Sequence, residues 1–212
     1  MKTDQLIEAL AADTAPAPKS ILANWPLALS LGALAAVVLM TVTIHVRPDI
    51  ATAVHQPRFL FKFVATLSLA APAVWVVHAW TRPEHRLGRG ALWLLIAPAL
   101  TLVAVAVELA IVPSADWAAR LIGHNAAYCV PFVPLLSLAP LAGILVALRH
   151  GAPSQTRIAG LMAGVAAGAI GATAYAMHCP DDSPLFVMVW YTLGIGIAAG
   201  IGAIIGPRVL RW

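Results

Sequence analysis

The sequence predicts an all-α, polytopic membrane protein with six transmembrane helices. Of its 212 residues, 61% are hydrophobic and only 10% are charged, whereas a water-soluble domain carries about 25% charged residues. A spanning helix needs roughly 20 mostly apolar residues. Six stretches meet this requirement, at about 27–46, 59–80, 90–112, 125–148, 158–178 and 185–206. The connections between them are too short to hold a catalytic domain.

The distribution of basic residues predicts that both termini are cytoplasmic. Nine Lys and Arg residues fall on the side of the N-terminus and four on the other side, and short loops with the basic excess face the cytoplasm. The segment before the first span carries Asp4, Glu8 and Asp13, unlike the basic start of a signal peptide, so we expect it to stay attached. The chain then divides into a cytoplasmic segment, 1–24, and a transmembrane domain, 25–212.

Small residues in the last two spans predict close packing between them. Close backbone approach at small residues favours helix association in lipid. Glycines four residues apart occur in the fifth span at Gly160, Gly164 and Gly168, and in the sixth span as the pairs Gly196 with Gly200 and Gly202 with Gly206. We expect these two helices to pack tightly together.

Prolines in the fourth span predict an irregular helix. Proline removes a backbone donor and kinks a helix. Because Pro131 and Pro134 fall in the first turns and Pro140 follows, we expect a distorted or delayed start.

Two cysteines are predicted to lie together at the outer face. Cys129 begins the fourth span and Cys179 ends the fifth, and an antiparallel hairpin brings these positions side by side. The outer compartment permits oxidised thiols. Groups of the types that ligate zinc and related metals surround them; the candidate metal ligands are Cys129, Cys179, His124, His178, Asp181 and Asp182. Disulfide formation, metal capture and thiol modification all remain open, as does a plain structural role with the aspartates in a solvated turn.

Two charged side chains fall inside predicted spans. Lys62 lies near the start of the second span and Glu108 near the end of the third. We expect Lys62 to extend its ammonium group outward to water. Glu108 is expected to reach headgroup water or to accept a hydrogen bond from His124 or His178.

The N-terminal segment predicts a short amphipathic helix. Thr3 is a plausible N-cap with Asp4 in the first turn, and Leu6, Ile7 and Leu10 share one face at helical spacing. A helix of nine or ten residues is marginal alone in water, where about 12–15 are needed. We therefore expect these five residues to bind a partner, the alternative being a helix that lies on the bilayer or the cytoplasmic loops.

Three segments of the chain carry a resemblance to a known family. They are the opening Met1-Lys2-Thr3-Asp4-Gln5-Leu6-Ile7-Glu8-Ala9-Leu10, the Cys129 segment that continues into Pro134-Leu135-Leu136-Ser137-Leu138-Ala139-Pro140, and His178-Cys179-Pro180-Asp181-Asp182-Ser183-Pro184 followed by Trp190-Tyr191. With these segments and its six spans, the chain resembles the NrsF family of bacterial anti-sigma factors over essentially its whole length.

The resemblance implies a negative regulator in the bacterial inner membrane. Such a protein binds an extracytoplasmic-function sigma factor at the cytoplasmic face and releases it when heavy metals or oxidants act on two cysteines. By position, Cys129 and Cys179 take the sensor role and the N-terminal segment takes the sigma contact. No cofactor is required, although a heavy-metal ion bound transiently at the two thiols is compatible with this role. The expected partners are the sigma factor and the bilayer, with no direct contact to nucleic acid.

Three other classes of protein fit the sequence less well. A small metal or solute transporter needs polar or ionisable groups near the middle of the membrane, and the predicted spans offer almost none. A purely structural subunit would not depend on either thiol. An enzyme is least favoured, because no nucleophile, base and acid group together in the sequence.

Overall fold

The computed structural model describes residues 3–12, 24–81, 89–151 and 153–211, and these ranges form helices without any strand. Six of their helical segments are long and apolar enough to cross a membrane, which confirms the predicted fold class. The spans are Trp25–Thr43, Pro57–Ala79, Arg89–Ile111, Ala126–Arg149, Thr156–Ala176 and Pro184–Val209.

The α-helices are numbered here in chain order. They are α1 (Thr3–Ala12), α2 (Trp25–Thr43), α3 (Ile50–Ala53), α4 (Pro57–Ala79), α5 (Ile96–Ile111), α6 (Trp117–Ile122), α7 (Ala126–Arg149), α8 (Thr156–Ala176), α9 (Pro184–Phe186) and α10 (Thr192–Val209). The predicted N-terminal helix is therefore present as α1, and α3, α6 and α9 are short helices next to the spans.

Two spans are not uniform α-helices. The third begins as a 3₁₀-helix, Arg89–Leu95, and becomes α-helical as α5. Pro98 lies in the first turn of α5, the position where proline costs a helix least, because it has no N–H to donate to the carbonyl four residues earlier. The sixth span contains a π-helical segment, Val187–Tyr191, between α9 and α10.

The fourth span corrects one expectation. Helix α7 begins at Ala126 and continues through Pro131, Pro134 and Pro140, so the predicted delay of its start is wrong. The first turn forms before the prolines, with the Cys129 N–H donating to the Asn125 carbonyl at 2.8 Å. The rest of α7 is held by packing against α2, α8 and α10, which outweighs the backbone bonds that the prolines remove.

Helix α8 is the centre of the bundle, packed against α2, α4, α7 and α10. A Cβ atom at Gly160 would collide with the backbone of Gly202 and Gly206, and one at Gly164 would collide with Ala198. The predicted close packing of the last two spans is therefore confirmed. Only one of the two glycine pairs on α10 takes part, because Gly196 and Gly200 face open space.

The bundle has two ends with separate buried clusters. At one end, called the cysteine end, α2 and α8 finish and α4 and α7 begin, and the buried cluster contains Cys129 and Cys179. At the opposite end, α2 begins and α10 finishes, and the cluster is built on residues such as Leu145 and Leu148. Both the N-terminal segment and the C-terminus thus join the bundle at the opposite end, whose cytoplasmic assignment stays a prediction.

The contact between α8 and α10 generates a test. Gly202→Ala should destabilise the protein by about 1–3 kcal/mol, because the new methyl group would meet the Gly160 carbonyl and overpacking costs that much. Gly200→Ala is the matched control and should be neutral or slightly stabilising, since alanine is the better helix former. Reversible unfolding in mixed micelles measures both, and equal stability of the two variants would contradict this packing.

Candidate functional site

The candidate site is the connection between α8 and α9, residues 177–183, at the cysteine end. The chain leaves α8, turns inward at the fully buried Cys179, and then presents Asp181, Asp182 and Ser183. Ser183 ends the connection as the N-cap of α9, with its hydroxyl oxygen accepting from the Leu185 N–H at 3.2 Å. Each of these residues contacts a different neighbouring element.

The backbone carbonyl of Cys179 accepts hydrogen bonds from two cations. Lys62 on α4 donates to it at 2.6 Å, and Arg47, from the segment after α2, donates at 3.3 Å. Lys62 is entirely inaccessible to solvent. The expectation that its ammonium reaches outward to water is therefore wrong, and the reason is that the inward turn of the chain supplies acceptors inside the bundle.

Asp182 provides the negative charge for both cations. Its carboxylate lies 2.6 Å from the Lys62 ammonium and 2.9 Å from the Arg47 guanidinium. Arg47 also forms a two-pronged contact with Asp49, at 2.7 Å to each carboxylate oxygen. The ring of Phe59 lies 5.2 Å from the ammonium and 5.5 Å from the guanidinium, which adds a cation–π contribution.

The backbone after α2 places the Arg47 side chain against the connection between α8 and α9. His45 adopts a left-handed backbone conformation, φ 61°, which ends the helix and reverses the chain direction. The Arg47 N–H then donates to the Met177 carbonyl at 3.1 Å. The hydrogen bonds with Asp49 raise the pKa of Arg47 above its usual range, and Arg47 in turn lowers the pKa of Asp49.

Glu108 on α5 forms a second buried group of contacts. It accepts from the Ser183 hydroxyl at 2.7 Å and from the Leu185 N–H at 3.3 Å. Arg120 donates to its other oxygen at 3.2 Å, and Arg58 lies 3.7 Å away. Glu108 is almost completely buried, so the expectation that it meets headgroup water, His124 or His178 is wrong.

Asp181 ties the same connection to the start of α7. Its carboxylate accepts from the backbone N–H of His124 at 3.0 Å and of Asn125 at 2.7 Å. Gly123, at φ 61°, allows the turn that exposes these two N–H groups. The residues that precede Cys129 are thus held directly by the segment that contains Cys179.

Both thiols lie in the buried cluster of the cysteine end, free and inaccessible to solvent. Their neighbours include Tyr175 and Tyr191, whose ring centroids are 5.9 Å apart. Burial raises the pKa of the Cys179 thiol above its usual range, although the positive charge of Lys62 opposes the effect. The thiol is therefore protonated at neutral pH, and it must lose this proton before it can act as a nucleophile or a metal ligand.

The candidate metal ligands are not assembled into a site. Among the residues described in 3–12, 24–81, 89–151 and 153–211, no three His, Cys, Asp or Glu side chains group so as to hold a metal ion. The two aspartates are occupied by the contacts above. His124 is 95% exposed, and its Nδ1 lies 3.5 Å from the Asp181 carboxylate. Nδ1 of His178 lies 2.9 Å from the His45 carbonyl oxygen.

The N-terminal candidates lie on α1. Thr3, Asp4 and Ile7 are exposed on this helix. The side chains of Leu6 and Leu10 lie outside the described residues, so the shared apolar face stays a prediction.

The sequence alone does not identify Arg47, Asp49 or Ser183 as residues of this site. Arg47 lies outside the spans and carries no local sign of burial. A usable signal was Lys62, because a lysine within an apolar span implies a carboxylate partner. Asp182, named above as a candidate metal ligand at the same predicted face, is a carboxylate of that kind.

The fold and the site define a multi-pass helical membrane protein with a buried ionic network at one end of its bundle and buried free thiols beside it. The family model described as "Negative regulator of sigma F", NrsF, matches residues 10–212. The chain therefore belongs to the NrsF family of anti-sigma factors, whose role is regulatory and whose partner is a sigma factor.

Two relatives match the chain over its full length and theirs. It is 36% identical to the anti-sigma-F factor NrsF of Caulobacter vibrioides, with 100% of each chain covered. It is 33% identical to the probable anti-sigma-F factor NrsF of Azospira oryzae, again with 100% of each covered. No solved structure matches the chain.

The ionic network generates a second test. Lys62→Met should lower the free energy of unfolding by about 1–3 kcal/mol, because it removes the shorter of two hydrogen bonds to the Cys179 carbonyl and one partner of Asp182. Arg58→Gln is the control and should change it by about 0.5 kcal/mol or less, since that side chain is partly exposed and 3.7 Å from Glu108. Unfolding in mixed micelles distinguishes the two variants. An unchanged free energy of unfolding in Lys62→Met would show that Arg47 alone is enough to pair Asp182 and the Cys179 carbonyl.

Proposed function

We propose that this protein is an inner-membrane anti-sigma factor that holds an extracytoplasmic-function sigma factor through its N-terminal segment. An oxidant or a heavy-metal ion acts on Cys129 and Cys179 from outside, and the sigma factor is released. One observation carries the proposal: the two free thiols share a buried cluster, and the carbonyl of Cys179 is the acceptor that Lys62 and Arg47 share.

Two reactions of the thiols fit the proposal. In oxidation, each thiol loses a proton, a sulfur–sulfur bond forms, and two electrons pass to an oxidant such as a peroxide, which is reduced to water. In metal capture, both thiols lose protons and the thiolates bind one soft cation. A disulfide requires an S–S distance of about 2.05 Å, and the two thiols are free in the structure, so oxidation would reposition residues in a buried cluster.

A movement of Cys179 is transmitted to other helices through the hydrogen bonds of its carbonyl. Its carbonyl holds Lys62, which belongs to α4, and Arg47, which follows α2. Helix α2 runs from this end of the bundle to the opposite end, where it joins the N-terminal segment. A shift of Cys179 that weakens these two hydrogen bonds therefore changes the position of the helix attached to the sigma-binding segment.

The energies involved are sufficient for a switch. A hydrogen bond to a charged group contributes about 1.5–3 kcal/mol, and a change of about 2.7 kcal/mol alters an equilibrium constant about 100-fold. The loss of one or two contacts around the Cys179 carbonyl is therefore large enough to shift the protein from the state that retains the sigma factor to the state that releases it. The modification must favour one state over the other, since an event that affects both equally shifts nothing.

The sensor assignment is tested by replacing both thiols. A protein carrying Cys129→Ser and Cys179→Ser should keep the sigma-dependent promoter near its uninduced level when cells meet cadmium or hydrogen peroxide. The reason is that a hydroxyl forms neither a disulfide nor a soft-metal thiolate. A reporter fused to that promoter measures the response.

Met40→Leu is the matched control for this experiment. Met40 is another buried sulfur-bearing residue of the same cluster, and its replacement conserves volume, so induction should be unchanged. Membrane abundance of each variant separates loss of sensing from loss of protein. Normal induction of the double cysteine variant would exclude the thiols as sensors while leaving the anti-sigma role intact.

The N-terminal segment is proposed as the sigma-binding element for two reasons. Its helix, α1, is ten residues long, shorter than a helix that is stable alone in water, and its sequence places apolar residues at helical spacing. Residues 13–24 connect it to α2 and reach at most about 40 Å when extended. The sigma factor would therefore be held close to the membrane surface.

The partner assignment is tested on α1. Replacing Leu6, Ile7 and Leu10 with glutamine should abolish retention of the sigma factor by tagged, full-length protein, because the apolar contact face is lost while helix propensity is kept. Co-purification from membranes measures retention, and mass spectrometry of the retained protein identifies the class of sigma factor. Ala12→Gln, on the far side of the predicted apolar face, is the control and should retain it. Retention by the triple variant would move the binding surface to the loops.

A further inference from the structure

A cleft lined by arginines opens between α8 and α10 at the opposite end of the bundle. Its volume is about 340 Å³, and its lining residues are Arg157, Ala203, Ile204, Pro207, Arg208 and Arg211. Arg157 lies in the first turn of α8, and Arg208 lies in the last turn of α10. The close contact between Gly160 and Gly206 brings these two helix ends together and so sets the arginines around one space.

The charges of this cleft are not neutralised by the described protein. None of the three arginines forms an ion pair with a residue of the described ranges, and the acidic residues in those ranges lie either on α1 or at the cysteine end. Arg208 donates one N–H to the Ile204 carbonyl at 2.8 Å, which fixes its side chain and leaves its other donors available. All three arginines are exposed.

The remaining wall of the cleft is apolar. Ala203 and Pro207 lie on α10 with Ile204, whose side chain is 62% exposed. This wall continues along the surface that α10 presents within its membrane span. A ligand with an anionic head and a hydrocarbon body matches both parts, because guanidinium groups bind phosphate through several directed hydrogen bonds and the exposed isoleucine adjoins the bilayer.

We propose that this cleft binds the headgroup of an anionic phospholipid, with the acyl chains lying along α10. Basic pockets between transmembrane helices are recognised sites for such headgroups. The assignment concerns a binding site outside the thiol cluster and does not depend on the sensing mechanism.

The test compares two pairs of arginines in the full-length protein. Arg157→Gln with Arg208→Gln should weaken binding of phosphatidylglycerol or cardiolipin at least about tenfold, since each arginine near an anionic headgroup contributes about fivefold. Arg89→Gln with Arg149→Gln removes the same charge at the same end of the bundle without touching the cleft, and should change binding by less than about twofold. Native mass spectrometry of the protein in detergent measures lipid occupancy, and phosphatidylcholine should bind equally to all variants.

Several outcomes would overturn the proposal. Equal losses in the two pairs would mean that the lipid responds only to the general positive charge of this end. Displacement of the lipid by inorganic phosphate at a similar concentration would mean that the site recognises a free anion. A tenfold gain of lipid binding in a variant carrying Asp4→Asn and Glu8→Gln would mean that α1 is the natural occupant. Unfolding curves for each variant confirm that the comparison is made between folded proteins.

Discussion

The buried ammonium group of Lys62 determines how the chain is arranged at the cysteine end. A cation without solvent contact must be paired inside the protein, because an unpaired charge at this depth costs several kcal/mol. Asp182 supplies the charge and the Cys179 carbonyl supplies a further acceptor. The connection after α8 must therefore turn into the bundle, and Cys179 is carried into the core with it. The burial of the thiol and the pairing of the lysine are two results of one arrangement.

The short connection between α8 and α9 joins more of the bundle than its length suggests. Asp181 holds the start of α7, Asp182 holds α4 and the segment after α2, and Ser183 holds α5 through Glu108. Three consecutive side chains thus contact four different spans or their flanking segments. Cys179 lies two residues before the first of them, so its backbone belongs to the same short connection that contacts these four spans.

The sequence was sufficient for the architecture but not for the site. The six spans followed from hydropathy because lipid imposes length and composition on a helix. The partners of Lys62 and Glu108 did not follow, because they lie 117 and 75 residues away in sequence, and only the tertiary fold joins them. Nor did spacing distinguish Gly200 from Gly202, since both belong to pairs four residues apart. Which of them meets α8 depends on the rotation of α10, which hydropathy does not encode.

The π-helical segment Val187–Tyr191 directly precedes α10 and contributes to that rotation. A π turn accommodates one more residue than an α turn, so side chains after it are offset by about 100° from the positions that a uniform α-helix would give them. Within the segment, Trp190 donates its indole N–H to the Leu121 carbonyl at 2.8 Å and so fastens the wide turn to α6. With this single extra residue, one continuous span directs Tyr191 into the buried cluster that contains Cys179 and directs Gly202 toward α8.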